Sequence, residues 1–215
     1  MMCCNACGGA AQADEAPGLE ASSGKRFVWR DKKEEQTLIS LRVPSLVERN
    51  GDVFAVTEAY CKGKDEKDED FHGIASEPLK WTDGQSKVVL DKNKLKTQLL
   101  EECSLDKEKC ASPNAAEEAG SVENKRVDVR RPTTVVNGSD IYMLAAIYMR
   151  ESAASEQFPV RAQWGLLLSR GNVSDEERDR NKRIYWNYID ALQSTSNIEG
   201  RESFTELTGG GGSGV

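Results

Sequence analysis

The sequence predicts an all-β protein built on a repeated hairpin, in the manner of a β-propeller. Three observations carry this. First, Arg42-Val43-Pro44-Ser45-Leu46-Val47-Glu48-Arg49-Asn50-Gly51-Asp52-Val53-Phe54 and Arg131-Pro132-Thr133-Thr134-Val135-Val136-Asn137-Gly138-Ser139-Asp140-Ile141-Tyr142 follow one pattern, 88 residues apart from Pro44 to Pro132. Second, each copy places an Asn-Gly pair between apolar runs, and such a pair tolerates positive φ and gives a turn that matches strand twist. Third, each copy puts a Pro followed by Ser or Thr ahead of the run, where a missing N–H suits a strand start or an edge. A hairpin recurring at so long a period fits one hairpin per blade.

The elements follow in order. Residues 1–25 read as a processed or disordered leader, and 26–215 as the propeller part. Phe27 to Trp29 begins a short strand. Leu38 to Val47 and Val53 to Thr57 form the first hairpin. The charged run Lys62 to Asp70 is a solvated loop. Phe71 to Leu79 is a strand, Trp81-Thr82-Asp83-Gly84 a turn, and Val88 to Leu90 a further strand. Lys94 to Glu102 fits a short helix and a strand equally. Ser104 to Asn124 is polar and reads as a surface insertion. The second hairpin runs from Pro132 to Tyr148, and Ser152 to Gln163 is a loop. Trp164-Gly165-Leu166-Leu167-Leu168 and Arg183-Ile184-Tyr185-Trp186 are strands, before a Gly-rich run from Gly209 to Val215.

The chain has 215 residues, with 36 Asp plus Glu against 29 Lys plus Arg. An acidic balance argues against a nucleic-acid partner. No apolar run approaches the length of a membrane-spanning helix. Six cysteines occur. Cys3, Cys4 and Cys7 lie in a leader whose Ala11-Gln12-Ala13 has the small-x-small form of a signal-peptidase site. That leader reads as a disordered terminus or, preferred here, as the tail of a signal peptide. A metal site lacks a second ligand cluster, so neither metal nor cofactor is expected. In an exported protein Cys103 and Cys110 are the natural disulfide, which leaves Cys61 with a partner in another chain or as a free thiol. Asn137-Gly138-Ser139 and Asn172-Val173-Ser174 are glycosylation sequons and agree with export.

Several pieces resemble the trans-sialidase and sialidase superfamily of trypanosome surface proteins, particularly its divergent members. They are Leu41 to Val47, Val53 to Ala59, Gly73-Ile74-Ala75-Ser76, Leu100 to Cys103, Arg131 to Val136, Gly138 to Leu144, Trp164 to Leu168, Ile184 to Asn187 and the final Gly-rich run. Together they cover most of the chain from Leu38 onward. The resemblance implies a six-bladed propeller, of which this chain supplies the first two blades and the start of a third.

It also implies roles for residues. Arg42, in the Arg-x-Pro motif, matches the first of three arginines that bind the sialic acid carboxylate. A guanidinium fork suits that task through paired, charge-assisted bonds. Glu58 falls where the family has an acid that orients this arginine. The acid/base aspartate of active members has only Glu66 and Asp68 as counterparts, and neither keeps the family's local pattern. Arg131 stands where active members carry an aspartate before Pro-Thr, a reversal of charge. Thr82-Asp83-Gly84-Gln85 is similar to an eroded Asp-box turn. His72 reads as a plain surface or core residue, and Trp81, Trp164 and Trp186 as blade packing.

The leading expectation is a catalytically inactive, trans-sialidase-like glycoprotein acting in host-cell adhesion, glycan binding or immune evasion, secreted or on the cell surface, with a GPI anchor at full length. Its partners would be sialylated or galactose-bearing host glycoconjugates, or host-cell receptors. An exo-α-sialidase or trans-sialidase, if completed by further residues, is the alternative. A truncated product with no function is the third reading.

Overall fold

The computed structural model describes residues 26–63, 69–79, 90, 95–103, 125–149, 163–174 and 182–194. Among them the chain is all-β. The strands are β1 (Arg26–Asp31), β2 (Thr37–Arg49), β3 (Asp52–Lys62), β4 (Phe71–Leu79), β5 (Lys96–Cys103), β6 (Lys125–Asn137), β7 (Asp140–Met149), β8 (Gln163–Val173) and β9 (Ile184–Ser194). They run antiparallel in the order β2-β3-β4-β5-β6-β7-β8-β9, with β1 paired to β5, and the sheet is not closed.

Both expected hairpins form. In the first, Arg49 pairs with Asp52 across Asn50-Gly51, and both turn residues have positive φ, at 54° and 83°. In the second, Asn137 pairs with Asp140, so the turn residues are Gly138 and Ser139 rather than Asn137 and Gly138. Gly138 alone carries the positive φ there, which suits a glycine at the first central position. The sequon asparagine thus ends a strand instead of making the turn.

The two prolines sit inside strands, not ahead of them. Each occupies a bulge, between Arg42 and Ser45 in β2 and between Arg130 and Thr133 in β6. The residue before each Pro, Val43 and Arg131, has a φ of 49° and 53°. A bulge removes one residue from the ladder, so a proline there breaks no bond. β2 is also the edge of the sheet, and β6 has left its partner β5 after Val127. Of the ambiguous stretch Lys94 to Glu102, the residues from Lys96 onward form strand β5. Its leucines fit either period, and pairing decides: β5 takes β1 on one side, and β4 then β6 on the other.

Two four-stranded blades result, β2 to β5 and β6 to β9, packed face to face over one core. Val47, Phe54, Val56 and Ile74 of the first meet Ile141, Met143, Ile147 and Leu167 of the second. Alternation along each strand puts these on one face. Burying such a side chain contributes about 1.5–3 kcal/mol. Trp186 lies in this core; Trp81, Val88 and the eroded Asp-box lie outside the described residues. Polar clasps join the blades as well. Gln98 of β5 accepts from the Trp186 N–H at 2.9 Å and donates to its carbonyl at 3.3 Å. Trp29 of β1 donates to Ser169 Oγ of β8 at 3.0 Å.

The repeat extends to the blade faces. Val56 is fully buried against the second blade, while its counterpart Leu144 is 41% exposed on the far side of that blade. Val135, Leu166 and Tyr188 surround Leu144 there and are exposed too.

Candidate functional site

The two bulges meet at one end of the seam between the blades. Ser45 Oγ and Thr134 Oγ1 lie 2.9 Å apart and tie β2 to β6. Beside them stands Arg42, directly opposite Glu58 in the β2–β3 ladder. Its carbonyl, freed by the bulge, accepts from Thr57 Oγ1 at 2.7 Å. Its guanidinium lies over the Tyr60 ring, 5.6 Å from the centroid. The residue is exposed. Arg42 is therefore presented to solvent on a bulge whose backbone is pinned from below, with an aromatic ring under its side chain.

Glu58 is buried, at 4% exposure, and both oxygens are held. His72 Nδ1 donates to Oε1 at 2.8 Å, and the Arg131 N–H donates to Oε2 at 3.0 Å. Burial alone would push this carboxyl up. The His72 bond, the Arg131 N–H and the charges of His72 and Arg130 outweigh it and hold Glu58 below its ordinary value. An ionised carboxylate only accepts, so His72 Nδ1 carries the proton of this bond.

A second layer supports the first. The His72 ring packs on Tyr60 with centroids 5.0 Å apart. Tyr60 donates its hydroxyl to Asp70. The buried Asp128 accepts from the His72 N–H at 2.9 Å and pairs with Arg130 at 3.1 Å. Arg130 lies 5.4 Å over the Tyr148 ring, the same arrangement as Arg42 on Tyr60 one repeat earlier.

The structure therefore brings Arg42, Glu58 and Arg131 together. It also adds His72, to which residue type and sequence neighbours assign no role. The signal for it was register: Tyr60 pairs with His72, which sets the imidazole diagonally across from Glu58. Glu66 and Asp68 lie outside the described residues, as does Cys110. Cys103 ends β5 opposite Arg26. Asn137 and Asn172 are exposed, and Asn172 Oδ1 accepts from Asn187 at 3.2 Å.

Of the two alternatives for Cys61, the free thiol is the one the structure shows. It is a free thiol with no exposed surface, in a small core with Phe71, Ala75 and Leu99. Burial pushes its pKa up to about 11, against a smaller pull from Lys32. The odd cysteine count left both alternatives open because burial is invisible in a count.

A family model described as a BNR repeat-like domain matches residues 43–215. The chain belongs to that family. Its repeats are of the Asp-box, sialidase type, so membership agrees with the sialidase superfamily and does not single out trans-sialidases within it. The match begins within β2, at the residue after Arg42, and takes in the rest of the first blade and all of the second. No curated protein matches the chain. Among the described residues no group of His, Cys, Asp and Glu is arranged to hold a metal ion, and no helix is long and apolar enough to cross a membrane.

Proposed function

We propose that this BNR repeat-like chain is part of a trans-sialidase-like surface glycoprotein that binds acidic glycans without cleaving them, in contact with host cells. The observation that carries the reading is Arg42: an exposed guanidinium on a pinned bulge, over Tyr60 and opposite a fixed carboxylate. Such a fork takes a sugar carboxylate through two parallel, charge-assisted bonds. Tyr60 beneath it limits the rotamers that binding must freeze.

The non-catalytic part rests on Arg131 and on the charge run from Lys62 to Asp70, whose Glu66 and Asp68 do not keep the acid/base pattern of the resembling family. A general acid acting on a glycoside needs a raised pKa and reach to the leaving oxygen. Glu58 is buried and held below its ordinary value, so it stays ionised and serves as a fixed anion. Arg131 puts a cation where active members of the resembling family carry an acid.

A glycan array probed with the full chain tests the proposal. Retention on sialylated glycans, lost on their desialylated forms and in Arg42→Ala, is the expected result. Equal retention on both forms removes the lectin reading. Release of sialic acid from a fluorogenic sialoside removes the non-catalytic part.

A further inference from the structure

The contacts of Arg42 lead inward to a titratable pair. Tyr60 stands between two cross-strand neighbours. From β2, the Arg42 guanidinium lies 5.6 Å from its ring centroid, and from β4 the His72 ring lies 5.0 Å from it. His72 is buried, at 6% exposure, and its Nδ1 donates to Glu58 Oε1 at 2.8 Å. Glu58 is in turn the ladder partner of Arg42. An imidazole, a carboxylate and the exposed guanidinium are thus gathered around one aromatic ring.

Other charged groups face this imidazole. From β6, Asp128 accepts the His72 backbone N–H at 2.9 Å, and Arg130 pairs with that carboxylate at 3.1 Å. The Arg131 N–H, also on β6, holds the second oxygen of Glu58. Beside His72 on its own stretch of chain, Asp70 accepts from the Tyr60 hydroxyl. Asp128 therefore has a cation bonded to it. Glu58 is met by a neutral N–H and by His72, so the state of His72 sets how much of its charge is cancelled.

Histidine is the side chain that changes charge between pH 5 and 8. Against burial, which would raise it, the bonds from His72 and Arg131 hold Glu58 below its ordinary value, so it is ionised across that window. With Nδ1 already donating, a second proton goes to Nε2 and leaves the Glu58 bond in place. The step changes a charge and breaks no contact. A neutral imidazole leaves an anion opposite Arg42, which repels an incoming sugar carboxylate. An imidazolium cancels that anion.

We infer that His72 regulates the Arg42 site: its protonation raises the affinity for a glycan that carries a carboxylate. The inference rests on the glycan-binding reading above and adds its regulation. One unit charge gained roughly 10 Å from the ligand changes affinity by about two- to tenfold. A sugar carboxylate stays ionised down to pH 5, so the gain is not offset on the ligand.

His72 is the only histidine of the chain, so one imidazole signal reports it. The test is an NMR titration of that signal in the untagged full chain from pH 8 to pH 5, with and without saturating 3′-sialyllactose. The ligand should raise the titration midpoint by about 0.3–1 pH unit, the linkage equivalent of that change in affinity. Calorimetry should show 3′-sialyllactose binding about two- to tenfold tighter at pH 5 than at pH 8, with protons taken up between. Lactose should leave the midpoint in place. His72→Gln, which keeps a donor for Glu58, should flatten the affinity profile. An imidazole that holds one state from pH 5 to 8, a midpoint that the ligand does not move, or a profile that survives His72→Gln overturns the inference, while Arg42-dependent binding leaves the parent reading standing. No binding of 3′-sialyllactose at any pH removes both. Near-UV circular dichroism checks the fold of His72→Gln, and if that fold is lost the midpoint shift in the native chain decides.

Discussion

Replacing Glu58 by glutamine keeps the shape of the side chain and removes the charge at the seam between the blades. Two donors meet the native carboxylate, His72 Nδ1 at 2.8 Å and the Arg131 N–H at 3.0 Å. A hydrogen bond to a charged group contributes about 1.5–3 kcal/mol. The amide oxygen of glutamine can still accept from Arg131, but its NH2 then faces the His72 proton. Loss of one charged bond sets the cost at about 1.5–3 kcal/mol, with the low end reached if His72 moves its proton to Nε2. Against a typical stability of about 5–15 kcal/mol that is a large fraction.

The assay is guanidinium chloride unfolding of Glu58→Gln beside the native chain, with the slope unchanged. The pH dependence fixes the mechanism. The folded-state pKa of Glu58 lies below its ordinary value of 4.5, so its contribution is full above that value and is lost as pH falls through the folded one. The gap between native chain and variant should therefore be widest near neutrality and close on the acid side. A gap under about 0.5 kcal/mol at neutral pH, the size of an ordinary surface change, or one that persists unchanged into acid, would refute the assignment.

Four further outcomes are expected. Cys61, with its thiol pushed up to about 11, should resist iodoacetamide at pH 8 in the native chain and react fully in denaturant; native labelling at the rate of an exposed thiol contradicts its burial. Gly171→Ala should cost about 1–3 kcal/mol, because a Cβ there stands 2.6 Å from the Tyr185 carbonyl and 2.8 Å from the Trp186 ring. In the first blade, Gly73→Ala puts a Cβ 2.5 Å from the Gln98 carbonyl of the neighbouring strand and should behave alike in a thermal melt. Thr57→Val leaves the Arg42 carbonyl without its 2.7 Å donor, and should lose about 1–2 kcal/mol along with part of the sialoside affinity.

The strands were legible because alternation and turn chemistry act locally. Phe71 to Leu79 forms as one strand with those bounds, and both Pro-led hairpins form, longer than the apolar runs alone suggested. Lys94 to Glu102 was ambiguous because Leu95, Leu99 and Leu100 satisfy a helical and an extended spacing together; the partners of β5 settle it, and partners are not local. The same holds for the prolines. Their motif was plain in the sequence, but that each marks a bulge within a strand depends on the register on either side.

Within the site, Arg42 and Glu58 could be named from the repeat and the resemblance. His72 could not, since its role comes from sitting diagonally across a ladder from Glu58. Arg131 read as a charge reversal. That its N–H clasps Glu58 follows from a positive φ, which the preceding sequence gives no sign of.

The most direct measurement is an NMR titration that follows arginine Nε–Hε resonances in the full chain, assigned by Arg42→Lys, as 3′-sialyllactose or lactose is added. The expected result is a saturable shift of the Arg42 resonance with 3′-sialyllactose and none with lactose. An Arg42 resonance that stays in place while other arginines move, or the same response to both sugars, contradicts a carboxylate site on the first bulge.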